Sequence, residues 1–469
     1  MATIYFTSNA DSGDGTLRAA LSSANDGDTI APDPTVFTTG PVVISLSSYL
    51  PTFPDNATLD GGDIGIVIDG QNNNMGAYGA IRTQSSVTAI NVTVKRYKVT
   101  TNAPIYINNA NASHTYKRCI FADNTGMWFG GVYVLRGHMS FYDCLITGNK
   151  ATGSSTTMGG LYIAANGTAD FVRSTLCGNC NSNISGRTRM TESGSFVGLT
   201  PPEVDGETPE EIGFVNPPPS ASIPVADYTD GDWESWDFRL KPTSAYLTGA
   251  AYNPGDLDLL GHPRTGSWGA YDGSWFVVPA NGTATIASNI TVDYAEIGAG
   301  ATVNFSAANL FLSVKKSASV SSSVLSAPTG GNGYLAVPVG TNVSAATLTR
   351  VKAAAYGAGV DNLDYVYPDV YYSASDMTIP VLLEYRVVSS GAWTTVANIA
   401  ESPYEYAVPT TRNIRLFDGI GFYTAVAESP EPGPGNSYYE LAAKTNVGYL
   451  VAKNLTGYLK TKDTVGYLN

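Results

Sequence analysis

The sequence predicts an all-β chain whose larger part is a stacked coil of strands, carrying one short helix near the N-terminus. Three observations lead there. Strand-sized apolar runs alternate with Gly, Asn and Asp turn clusters at short intervals from Pro41 onward. Cysteine- and asparagine-bearing units recur at a period in the mid-twenties to about thirty residues, the mark of a solenoid. One amphipathic helix, Leu17 to Ala24, stands alone in a chain otherwise rich in turn and strand residues.

That helix comes first. Leu17, Ala20, Leu21 and Ala24 fall at i, i+3, i+4 and i+7 and form one apolar stripe, with Arg18, Ser22, Ser23 and Asn25 opposite. Asp14 or Thr16 supplies an N-cap oxygen, and Asn25 to Gly27 offer a residue of positive φ to end the helix. So short a helix is marginal alone in water. Its stripe needs a surface, and the open end of a stacked β-structure is one that otherwise exposes raw strand edges. Leu17, Arg18, Ala20 and Leu21 are therefore the expected structural cap.

The strands follow in the runs 41–46, 57–62, 64–70, 80–82, 88–94 and 104–109. Then the repeat becomes explicit. Cys119-Ile-Phe-Ala-Asp-Asn124, Cys144-Leu-Ile-Thr-Gly-Asn149 and Leu176-Cys-Gly-Asn179 are versions of one unit, and Gly130-Gly-Val-Tyr-Val134 returns as Gly159-Gly-Leu-Tyr-Ile163. An asparagine at the same corner of successive rungs can bond its copies above and below, so Asn124, Asn149 and Asn179 are expected to form a ladder. The four cysteines, Cys119, Cys144, Cys177 and Cys180, lie inside the same window. Buried free thiols stacked between rungs are favoured over a disulfide. A zinc site on the Cys177-Gly-Asn-Cys180 pair would need two more ligands nearby.

Thr16-Leu-Arg-Ala-Ala-Leu21 followed by Asn25-Asp-Gly-Asp-Thr-Ile30 resembles the N-terminal capping motif of right-handed parallel β-helix surface proteins. These are the polymorphic outer-membrane, autotransporter-passenger and choice-of-anchor types. Trp236-Asp-Phe-Arg-Leu-Lys-Pro-Thr-Ser244, with Asp258-Leu-Leu-Gly-His-Pro-Arg264 and Gly269-Ala-Tyr-Asp-Gly273, resembles the C-terminal closure of the choice-of-anchor family. The resemblance implies a right-handed parallel β-helix over residues 1–274. Ala245-Tyr-Leu-Thr-Gly249 departs from the Ile-Asp step usual in that closure, and no family anchor follows. Inside the β-helix, the acidic, proline-rich stretch 186–232 is expected to be a surface loop or arm rather than rungs.

Downstream, 275–343 reads as a small β-roll or a continuation of the solenoid. Residues 344–428 alternate at period two, as in a β-sandwich, and weakly resemble a fibronectin type III or immunoglobulin-like domain. Residues 429–436 form a stiff Pro/Gly linker. The tail, 437–469, repeats Gly-Tyr-Leu with a step of nine at Gly448, Gly457 and Gly466. Too short for a core of its own, it is expected to order by pairing with copies of itself or with a partner. Its candidate assembly residues are Tyr449, Leu450, Tyr458, Leu459, Tyr467 and Leu468.

Composition narrows function. A net charge of −14 repels phosphate backbones, which argues against nucleic-acid binding. No apolar run is long enough to span a membrane, and the first residues lack the basic and apolar regions of a signal peptide. Parallel β-helices host polysaccharide hydrolases and lyases, which makes Asp60, Asp69, Asp123 and Asp143 candidate glycosidase carboxylates, with Trp128 and Tyr133 as sugar platforms. Asp60 and Asp69 each precede glycine, as turn residues do. His114, His138 and His262 stand in unrelated contexts, with no local signature of a metal site or a catalytic triad.

The expectation is a non-enzymatic structural or adhesive surface protein, with no catalytic residue, metal or cofactor assigned. A bacteriophage virion fibre, spike or decoration protein is favoured over an exported bacterial adhesin or autotransporter-like passenger, and a tailspike-type depolymerase is the third reading. Expected partners are other virion or surface proteins, further copies of the chain in a homo-oligomer with a trimer favoured, and host-surface glycans.

Overall fold

The computed structural model describes residues 1–351 apart from 78, 84, 154–157, 198–207, 221, 309, 330–332, 339–340, 342 and 344. Beyond them it describes only the backbones of the strands named below. The chain divides into two compact units, Met1–Gly273 and Ser274–Asn469. Both contain a parallel β-solenoid, and together these make about 13 turns.

In the first unit each turn contributes one strand to each of two sheets. The first sheet stacks Thr3–Phe6, Thr29–Pro32, Ala57–Asp60, Val87–Ile90, Ile105–Lys117, Val132–Tyr142 and Leu161–Val172. Ile184–Ser185 and Met190–Ser193 both pair with the last of these. The second sheet stacks Val42–Ser45, Ile66–Asp69, Val92–Lys95, Ile120–Ala122, Leu145–Thr147, Thr175–Leu176 and Phe196–Val197. Every one of these pairings is parallel, and the register is continuous except at bulges between Val134 and His138. Alternation along each strand sends every second side chain inward. The register then stacks like on like: Ile30, Leu59, Ala89, Tyr116, Phe141 and Phe171 form one interior column. The Tyr116 and Phe141 rings lie 5.3 Å apart and nearly parallel, and those of Phe141 and Phe171 are 4.6 Å apart.

The helix spans Leu17–Ser23, and Thr16 accepts a hydrogen bond from the Ala19 amide at 3.2 Å. Leu17, Ala20 and Leu21 are buried in the same core as Phe6 and Ile30. The helix stops at Ala24 in extended conformation, one residue before the Asn25–Gly27 turn expected to end it. Arg18, on the polar face, pairs with Asp11 at 2.6 Å and donates to the carbonyls of Ser48 and Tyr49.

Two ladders cross the interior. Asn124 Nδ2 donates to Asn149 Oδ1 at 3.0 Å, Asn149 Nδ2 to Asn179 Oδ1 at 2.9 Å, and Asn179 Nδ2 to Asn183 Oδ1 at 2.9 Å. Each Oδ1 also accepts the backbone amide of the preceding member. The expected asparagine ladder is thus present and runs one residue further, to Asn183. The second ladder joins thiols to hydroxyls. The Cys119 amide points at Cys144 Sγ at 3.4 Å, the Cys144 amide donates to Ser174 Oγ at 3.0 Å, and the Ser174 amide to Ser195 Oγ at 3.0 Å. All four cysteines are free and buried. Cys177 and Cys180 sit in different apolar clusters, so the CxxC spacing is incidental to packing.

Residues 186–232, expected to leave the coil, instead supply part of it. Met190–Ser193 and Phe196–Val197 add to the two sheets, and Ser222–Ile223 pairs with Asn179–Cys180. Acidic, polar composition masked a rung whose only inward apolar residues are short runs such as Phe196-Val197.

In the second unit one sheet stacks Trp275–Val278, Ile290–Ile297, Phe311–Val320, Gly333–Val337 and Val351–Ala355, and a second stacks Thr283–Ile286, Thr302–Phe305, Val324–Ser326 and Thr347–Thr349. Solenoid pairing therefore runs past the expected boundary at 343. Farther on, Thr394–Ile399, Val381–Val387, Arg412–Phe417 and Phe422–Val426 form a four-stranded antiparallel sheet in that spatial order.

The asparagine ladder is a direct test of how the coil is held. Replacing Asn149 by Ala removes the shared acceptor of the Asn124 backbone and side-chain amides and one donor each to Asn179 Oδ1 and the Phe121 carbonyl, all in the interior. We expect a loss of about 3–5 kcal/mol, read as a lowered urea midpoint with an unchanged far-UV spectrum in native buffer.

Candidate functional site

The four carboxylates weighed for catalysis are each occupied locally. Asp60 ends a first-sheet strand and accepts the Gly62 amide at 2.9 Å. Asp69 ends a second-sheet strand, accepts the Gln71 amide at 2.9 Å and forms an ion pair with Arg96. Asp143 and Asp123 turn two different corners of the coil in the left-handed region, with φ of 57° and 53°. Asp60 and Asp143 line two different grooves. Trp128 is exposed, while Tyr133 packs between Tyr106 and Tyr162, with the Phe129 ring 4.3 Å away. Among the described residues, no group of three or more His, Cys, Asp and Glu side chains could hold a metal ion. No helix of the described residues is long and apolar enough to cross a membrane.

The outer face of the first sheet carries an organisation not anticipated from the sequence. Thr3, Thr29, Thr58, Thr88, Thr115, Ser140, Asp170 and Thr191 are Cα partners on successive rungs, forming one outward column. The signal is a hydroxyl residue at the same place in Thr-Ile-Tyr, Thr-Ile-Ala, Thr-Leu-Asp, Thr-Ala-Ile, Thr-Tyr-Lys and Ser-Phe-Tyr. Beside it, His138 Nε2 lies 3.0 Å from both Ser140 Oγ and Asp170 Oδ2, and Nδ1 lies 2.9 Å from Thr168 Oγ1. Serine and carboxylate thus meet the same ring nitrogen. A Ser-His-Asp relay needs them on opposite nitrogens, so this trio is a hydrogen-bonded surface cluster. His114 is buried between Tyr116 and the Ser85 carbonyl, and burial lowers its pKa to about 4.

The next outward column of the same sheet is Ile90, Lys117, Tyr142 and Val172. A groove of about 620 Å³ runs over these residues and is walled by the chain from Asn253 to Leu257. The wall is fixed by the closure motif. Arg264, fully buried, donates to the Gly269 and Ala270 carbonyls at 2.8 and 2.9 Å and pairs with Asp143 at 2.6 Å. Asp143 also receives Arg173 Nε at 2.9 Å, and Arg173 reaches Asp256 at 3.1 Å. Asp258 accepts the amides of Leu260, His262 and Asp272, while Asp272 accepts those of Thr265, Gly266 and Ser267. Lys117 and Arg118 stand at the groove with no ion pair to any described residue.

A strap, residues 225–236, crosses another corner of the coil. Tyr228 Oη donates to Asp123 Oδ1 at 3.0 Å, Lys150 pairs with Asp230, and Lys95 pairs with Glu234 at 3.0 Å. Arg96 and Asp123 turn this corner on lower rungs, but Gly148 and Gly178 turn it beneath the strap. A Cβ on Gly148 would lie 2.6 Å from Tyr228 Oη, and one on Gly178 would lie 2.7 Å from the Trp236 ring.

In the tail, Ser437–Lys444 pairs antiparallel with Val447–Ala452 and parallel with Leu459–Thr461. Leu441 is the Cα partner of both Leu450 and Leu459, and Ala442 that of Tyr449. Tyr458, Tyr467 and Leu468 lie outside the described residues. No family model matches the chain, and no curated protein or solved structure matches it either.

Asp123 makes the strap corner sensitive to pH. Burial raises its carboxyl pKa to about 6, against the hydrogen bond from Tyr228 and with Asp230 and Lys150 alongside. A raised acid pKa favours folding at low pH, and that contribution fades as pH rises through 6. Asp123→Asn, which keeps an acceptor for Tyr228 and tolerates positive φ, removes the ionisation. We expect it to match the parent near pH 4 and to exceed it by about 2 kcal/mol at pH 8, measured by urea unfolding at the two values.

Proposed function

We propose that this chain is a non-enzymatic structural and adhesive surface protein, a virion fibre, spike or decoration component that assembles through its C-terminal repeat. The observation that carries this reading is the fate of the candidate catalytic acids. Asp60 caps a turn, Asp69 and Asp143 neutralise arginines, and Asp123 holds the strap. Glycoside hydrolysis needs two carboxyl groups facing each other across a bound sugar, roughly 5–9.5 Å apart, and each of these four already serves a local hydrogen bond or ion pair.

The helix Leu17–Ser23 acts in this reading as the cap that stops strand addition at the N-terminal end of the coil, as in the choice-of-anchor β-helix proteins that its motif resembles. The antiparallel strands between 381 and 426 serve as an immunoglobulin- or fibronectin-like module, and the tail as an assembly element. Its step of nine supports that role, because it returns Leu to the same register on neighbouring strands. An exported bacterial adhesin is the alternative setting for the same parts.

Two measurements test the reading. Deleting Ser437 to Asn469 should abolish the homo-oligomer, for which a trimer is favoured, in sedimentation velocity while leaving the β-sheet circular dichroism signal intact. An oligomer that survives the deletion rejects the tail as the assembly element. Leu17→Asp places a charge in the core beneath the cap and should cost at least about 3 kcal/mol, with the freed sheet end visible as aggregation in light scattering.

A further inference from the structure

We infer that the groove between the outer face of the first sheet and the closure segment 253–257 is a binding site for an anionic, uronate-bearing polysaccharide. This inference deepens the adhesive part of the reading above and rests on it. Charge is the first argument. On a chain of net charge −14, the groove is lined by three cations, Lys117, Arg118 and Arg173, against two carboxylates, Asp143 and Asp256. Both carboxylates are already engaged, Asp143 by Arg173 and Arg264 and Asp256 by Arg173. Lys117 and Arg118 remain with no ion pair to a described residue. A guanidinium beside an ammonium at the mouth of a fixed groove is a receptor for carboxylate, and arginine binds that group through paired N–H donors.

Shape and lining supply the rest. The groove is partly open to solvent, which admits a segment of polymer. Tyr142, half-buried between Lys117 and Val172 on adjacent rungs, offers an amphipathic ring to a sugar face. Thr115 joins the lining from the neighbouring hydroxyl column and offers a hydrogen-bonding partner to a polyol. A uronate polymer, which presents carboxylates, sugar ring faces and hydroxyls, matches two cations, one aromatic ring and the Thr115 hydroxyl. The wall is fastened through Asp256 to Arg173, whose guanidinium is buried against Asp143, so the site is preformed.

Affinity electrophoresis of the full chain in gels containing polygalacturonate, dextran or dextran sulfate tests this. Polygalacturonate should retard the protein and neutral dextran should not. Lys117→Gln with Arg118→Gln, and separately Tyr142→Ala, should each weaken retardation, the double variant by at least about tenfold in apparent Kd, with unchanged circular dichroism. Absence of retardation, retardation untouched by the variants, or equal retardation by dextran sulfate with Tyr142→Ala silent would overturn the site. Sedimentation of the same samples separates the two readings: intact tail-dependent assembly with an inert groove rejects the glycan site alone. New reducing ends in the gel polymer would keep the groove and overturn the non-enzymatic reading.

Discussion

No turn of this coil can bury its own apolar face, so everything inside depends on in-register stacking. Register places like side chains one above another, and this turns each buried polar group into a potential ladder rather than a defect. The four asparagines from Asn124 to Asn183 exploit that geometry fully. Asn149 and Asn179 each take one backbone and one side-chain donor on the carbonyl oxygen from the preceding asparagine, while their amides bond the next asparagine and a strand carbonyl. A buried amide left half-satisfied would cost what a satisfied one contributes. The ladder therefore works only as a set, and it ties the turns that carry it into one register.

Much of this was legible because ladders repeat their residue type. Asn124, Asn149 and Asn179 recur in visibly related units, and Cys119 and Cys144 do the same. The parts that escaped are those where the geometry repeats but the residue does not. Ser174 and Ser195 continue the thiol ladder with hydroxyls, since the position asks only for a small side chain able to meet an amide. Asn183 closes the asparagine ladder only four residues after Asn179, off the repeat. The threonine column lay in plain view, but periodic threonines at strand starts are also what β-propensity produces. Residues 186–197 were misjudged because hydrophobic patterning fails where a rung is short and its outward side chains are polar.

The corners show why site chemistry was harder to read than fold. A single residue in the left-handed region turns each corner, and asparagine, aspartate, arginine and glycine all appear there. Asp123 and Asp143 are thus corner residues first, and their partners come from far along the chain: Tyr228 for one, Arg264 for the other. Spacing along the sequence carries no trace of such pairings. Nor does it reveal that Gly148 and Gly178 are glycine because a strap lies over them, though the switch from charged corners to glycine corners on successive turns is the pattern such a cover leaves.

The closure motif links stability to surface chemistry. Asp258, Arg264 and Asp272 are buried to satisfy the backbone of an irregular segment that has no ladder to pair with, and this forces Arg264 against the corner residue Asp143. Asp143 is shared with Arg173, and Arg173 in turn holds Asp256 at the lip of the groove. A chain of alternating charges therefore runs from the core of the closure to the surface and neutralises itself on the way. Lys117 and Arg118 lie beyond its last member. Their positive charge is left facing the groove because the structural network already engages both carboxylates that line it, Asp143 and Asp256, so the same interactions that fasten the end of the first coil also define the charge of the surface beside it.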